Sequence, residues 1–105
     1  YDLTGGPLSA ERTRAFLDDR TPDKRARLVR ELVASPEARI WWGRFLLEAT
    51  TDGGRAAEQD AWDGAPLLSF FVHGLEQRRG VDALVRDLLT ATGNRTDSPQ
   101  VQWLL

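Results

Sequence analysis

Apolar positions along this chain recur three or four residues apart in five separate stretches, the spacing of one face of a helix. In the first, near residues 10 to 19, Thr13, Phe16 and Leu17 cluster on one side at ~100° per residue, while Glu11, Arg14 and Asp18 fall opposite. The second, near 22 to 34, sets Leu28, Val29, Leu32 and Val33 against Lys24, Arg27, Arg30 and Glu31, a clean amphipathic stripe. The third, near 36 to 50, differs. Ile40, Trp41, Trp42, Phe45, Leu46, Leu47 and Ala49 wrap most of its circumference and leave a polar wedge of Glu37, Arg44 and Glu48. A helix apolar nearly all round belongs in the middle of a bundle, and Gly43 on its flank admits the close approach of a neighbour. A fourth helix, near 66 to 79, has Leu67, Leu68, Phe71, Val72 and Leu75 on one face and Ser69, His73, Glu76 and Gln77 on the other. A fifth, near 82 to 92, carries Leu84, Val85, Leu88 and Leu89. No stretch alternates at period two.

The pattern predicts an all-α fold: one domain over 1–105, a compact bundle of about five helices around a central apolar third helix. Leu28, Leu32, Ile40, Phe45, Leu47, Phe71, Leu75, Leu84 and Leu88 are its expected core. The punctuation agrees. Thr21-Pro22-Asp23 and Ser35-Pro36-Glu37 repeat one formula for a helix start: a hydroxyl at the N-cap, proline where no N–H is needed, and an acid at the positive end of the helix dipole. Ser9 reads as a further N-cap, and Gly93-Asn94 as the C-cap of the fifth helix. Asp52-Gly53-Gly54 and Asp63-Gly64 bracket the longest loop, and Ser98 to Leu105 begins a sixth turn that stops on apolar residues.

Composition narrows the chemistry. At 105 residues, with 41% hydrophobic and 29% charged, the chain can bury roughly two thirds of its unfolded surface and needs no staples. It has no apolar run long enough to span a membrane. A net charge of −2, with 14 basic residues interspersed among 16 acidic ones, provides no field for nucleic acid or an anionic membrane. Zero cysteines exclude disulfides, thiolate catalysis, zinc–thiolate sites and covalent haem attachment. The chain opens on Tyr1 and contains no Met, which reads as a piece processed or excised from something longer.

Candidate sites are sparse. His73 is the lone histidine, with Ser69, Glu76 and Gln77 nearby on its helix, and one imidazole is a poor metal or haem site because such sites need several converging ligands. Asp52, Glu58, Asp60 and Asp63 share the long loop at a spacing that fits no calcium motif. Glu37 and Glu48, with Arg44 between them, are helix-face charges rather than an acid–base pair. The basic run of Lys24, Arg25, Arg27 and Arg30 is interrupted by Asp23 and Glu31 and reads as a wet face. The aromatics are the better lead. Trp41 and Trp42 are adjacent and point ~100° apart; Trp62 sits in the polar loop, and Trp103 precedes Leu104-Leu105 at the chain end. Exposed tryptophan is the residue most enriched in binding hot spots.

The order of signatures carries a resemblance: Asp2-Leu3-Thr4-Gly5, then Pro7 and Ser9, then Phe16-Leu17 with Asp19, Thr21-Pro22-Asp23-Lys24-Arg25-Ala26-Arg27-Leu28-Val29 and Ala34-Ser35-Pro36-Glu37. Val85-Arg86-Asp87-Leu88-Leu89-Thr90-Ala91-Thr92-Gly93 and the Ser98-Pro99 to Trp103 tail continue it. The chain resembles the domain of unknown function 1549, a family abundant in planctomycetes. Phe45 and Leu46 stand where many members have His-Trp, so whatever that histidine does elsewhere this chain does not do. Gly80 and Val81 replace the proline and aromatic of the family before its last helix. The resemblance implies a domain of large exported proteins that often carry c-type cytochrome modules, with no established activity.

Together these readings predict a non-catalytic, protein-binding module of an extracytoplasmic assembly related to electron transfer, with no catalytic residue, metal or cofactor. Its partners are other subunits or domains, met through Trp62, Trp103, Leu104, Leu105 and Trp41. The alternative is an enzyme or a carbohydrate-, metal- or haem-binding domain using Glu37, Glu48, His73 and the acidic loop.

Overall fold

A computed structural model describes residues 1–51, 65–93, 98 and 100–101. The described chain is all-α: α1 (Ala10–Asp18), α2 (Lys24–Val33), α3 (Pro36–Thr50), α4 (Ala65–Glu76) and α5 (Val81–Thr90), with no strand among the described residues. It divides into two units, Tyr1–Trp41 and Trp42–Leu105, and the division falls within α3. The apolar third helix is thus the element that both units contain.

Two of the three expected helix starts form as read. Ser9 has extended backbone, and its Oγ accepts the Arg12 N–H at 3.2 Å. Ser35 Oγ accepts the Ala38 N–H at 3.3 Å and donates to the Leu32 carbonyl at 2.6 Å, so one hydroxyl closes α2 and opens α3. Pro36 then fills the first helical position. The twin formula at Thr21 behaves otherwise. Its N–H and hydroxyl both donate to Asp19 Oδ1, at 2.9 and 2.6 Å, and α2 begins later, at Lys24, after Asp23 as a cap without a side-chain bond. The hydroxyl proton goes to Asp19 and its oxygen accepts from Arg27 Nη2 at 2.9 Å rather than from a backbone N–H, so Thr21 is bonded on both sides outside the cap.

The helix ends also depart from expectation. α4 stops at Glu76, where the Arg79 N–H reaches the Gly74 carbonyl and the Arg78 N–H the Leu75 carbonyl, both at 3.0 Å. This is a Schellman closure, with Arg78 at φ 57 in the left-handed position that glycine usually fills, at a cost of about 1 to 2 kcal/mol. α5 ends at Thr90, whose hydroxyl bonds back to the Arg86 carbonyl at 2.8 Å, and Ala91 is already extended. Gly93 therefore lies beyond the helix rather than capping it.

In the second unit the core is Leu67, Phe71, Leu84 and Leu88, each at most 2% exposed, with Leu46, Leu47, Phe70 and Leu75 packed against it. The flank of α3 at Gly43 does meet a neighbour closely: a β-carbon there would stand 2.7 Å from Val72 Cγ2 on α4. The first unit has no comparable core. No residue of α1 or α2 is buried, and Leu28 and Leu32 are only partly covered. Ile40 and Phe45, expected in the core, are 44% and 54% exposed. An apolar circumference tells how much surface a helix could bury and not how much of it is covered.

Candidate functional site

The first unit places its charged residues between two helices. Arg12 on α1 pairs with Glu31 on α2 at 2.9 Å, and Arg27 on α2 pairs with Asp19, just past α1, at 2.5 Å while donating to Thr21 Oγ1 at 2.9 Å. Lys24 reaches back to donate to the Phe16 carbonyl at 3.0 Å, with its ammonium 4.6 Å from the Phe16 ring centroid. It thereby satisfies one of the carbonyls left open at the end of α1, a helix with no basic residue in its own last turn. Thr21's hydroxyl and then its N–H hold the Asp19 carboxyl below its ordinary range, outweighing desolvation, with smaller help from the Arg27 and Lys24 charges.

Arg12, Asp19, Lys24, Arg27 and Glu31 line an open cleft of about 330 Å³ together with Ala15, Phe16 and Leu28. Arg12 and Arg27 are each matched by a carboxylate, while Lys24 is held by a neutral carbonyl and a ring, so its positive charge is not neutralised within the cleft. The network was hidden in the sequence. Lys24 and Arg27 read as a wet face, and the only hints were the Asp19-x-Thr21 spacing and Lys24 as the single lysine in a chain otherwise reliant on arginine.

Trp41 is 42% exposed, and the six-membered part of its indole lies against Gly5. Gly5 has φ 74, its N–H closes a turn onto the Tyr1 carbonyl at 2.7 Å, and a β-carbon there would overlap the indole. Asp2-Leu3-Thr4-Gly5 is thus a turn whose glycine is required twice, for its backbone conformation and for ring contact. Trp62, Trp103, Leu104 and Leu105 lie outside the described residues, as do Asp52, Glu58, Asp60 and Asp63.

The residues of the alternative reading do not converge. His73 is exposed, with Nδ1 3.8 Å from Glu76, and Glu37 and Glu48 are both exposed. Among the described residues no three His, Cys, Asp or Glu side chains are grouped so as to hold a metal ion. No described helix is long and apolar enough to cross a membrane.

The second unit carries two apolar surfaces, of which the sequence pointed to Trp42 in the first and did not mark the second as exposed. Trp42 and Phe45 stand edge to face, ring centroids 5.5 Å apart, both substantially exposed. On α5, Val81, Val85 and Leu89 form an i, i+4, i+8 stripe exposed by 51%, 38% and 62%, beside the buried Leu84 and Leu88. The period that marked α5 as amphipathic could not separate the half of its apolar arc that is covered from the half that is not.

A family model described as PSCyt2, protein of unknown function (DUF1549), matches residues 1–103. No curated protein and no solved structure matches the chain.

Proposed function

We propose that this chain, which belongs to the PSCyt2 (DUF1549) family, works as a non-catalytic interaction module of a larger extracytoplasmic assembly that handles electron transfer. The observation that carries the reading is the apolar surface of the second unit: the Val81, Val85 and Leu89 stripe together with the Trp42–Phe45 pair. Large apolar side chains left in water at helical spacing are what a partner helix or subunit covers. The placement outside the cytoplasm and the link to electron transfer draw on the resemblance to exported proteins with cytochrome modules. Trp103, Leu104 and Leu105 are assigned to the same role from their sequence alone.

The test is association within the parent assembly, purified with Val85→Ser and Leu89→Ser introduced together, and separately with Trp103→Ser and Leu105→Ser. The expected result is weakened assembly in each double variant with helix content unchanged by circular dichroism. Full assembly in both would end the proposal, as would catalytic turnover traced to Glu37, Glu48 or His73.

A further inference from the structure

α1 has nine residues, none buried; Leu17 on its apolar face is left exposed, and Phe16 is partly covered. α2, against which it lies, also has no buried residue. The links between them are polar and reach solvent: Arg12 to Glu31, Arg27 to Asp19, and Lys24 to the Phe16 carbonyl and ring. Exposed charged contacts are what dissolved salt weakens, since the screening length falls from about 10 Å at 0.1 M to about 3 Å at 1 M. Apolar burial, which holds α4 to α5, is not weakened in this way.

From this contrast we propose that α1 is a strap held on α2 by charge, and that raised ionic strength or loss of the Lys24 charge releases it while the second unit stays folded. Release bares Phe16 and Leu28, the partly covered apolar residues that line the cleft. It also melts α1, because a helix this short does not persist in water without tertiary support. The device is independent of the docking surface on α5.

Hydrogen exchange of the full chain in 0.05 M and in 1 M sodium chloride tests it. Amides of α1 are expected to exchange about tenfold faster at the higher salt, while those of Leu67 to Leu75 and Leu84 to Leu88 hold their rates. Lys24→Met keeps the apolar stem and removes the ammonium, and with Arg12→Gln it is expected to show fast α1 exchange at low salt and little further response. Salt-independent α1 exchange in the wild-type chain would overturn the strap, and so would loss of protection throughout both units at once. An undiminished salt response in the double variant would show that these contacts are not the links.

Discussion

α2 and α5 carry almost the same apolar pattern, a pair of adjacent residues repeated one turn later: Leu28, Val29, Leu32 and Val33 in one, Leu84, Val85, Leu88 and Leu89 in the other. Their fates differ. Leu84 and Leu88 are sealed in a core with Leu67 and Phe71, whereas Leu28 and Leu32 are partly covered and Val29 and Val33 exposed. The first unit compensates with charge, linking α1 to α2 through Arg12, Asp19, Lys24 and Arg27. Amphipathicity shows which face a helix would bury; the number of apolar side chains that surround that face decides whether it does, and Leu46, Leu47, Phe70 and Leu75 all pack against the core that α5 joins. α4 offers α5 a phenylalanine and a leucine that it encloses completely, while α1 presents Phe16 and an exposed Leu17.

The largest effect should come from the sealed core. Phe71→Ala is expected to cost about 3 to 5 kcal/mol, because it empties a fully enclosed site. Phe45→Ala should cost about 1 kcal/mol, the value of its edge contact with Trp42. Chemical denaturation of the two variants decides between them, and equal losses would erase the distinction between a covered and an uncovered aromatic. In the first unit, Gly5→Ala forces an L side chain into the left-handed region at about 1 to 2 kcal/mol and pushes on the Trp41 indole. Reduced thermal stability with altered tryptophan emission is expected; unchanged emission would count against the ring contact.

Acid provides the mildest probe. Asp19 titrates lower in the folded chain than its ordinary 3.8, so its contribution is complete above that value and is lost as pH falls through the lower folded one. Below about pH 4 the first unit should therefore loosen, and Asp19→Asn should abolish that part of the response. Acid loosening that persists in Asp19→Asn would assign it to other carboxylates.

Much of the fold was legible because local chemistry settles it. Five helices follow from period, Ser9 and Ser35 from cap geometry, and Gly43 from the need for close approach. What escaped depends on contacts across the sequence. Thr21 looks like Ser35 until Arg27 takes the acceptor side of its hydroxyl, and Lys24 looks solvated until Phe16 supplies a carbonyl and a ring. Ile40 and Phe45 look like core because period shows that a face is apolar and not whether it is covered. Of the expected binding residues, Trp41 is described, half in solvent and half over Gly5; the α5 stripe could not be separated in sequence from the core beside it.

The central claim is that the two units are held by different forces, and native-state hydrogen exchange at low salt across a denaturant series tests it most directly. Amides of Leu67 to Leu75 and Leu84 to Leu88 should open only with global unfolding and show the full denaturant dependence. Amides of α1 should open through a smaller event with little dependence on denaturant. A single common opening energy and a single dependence across α1, α4 and α5 would contradict the account.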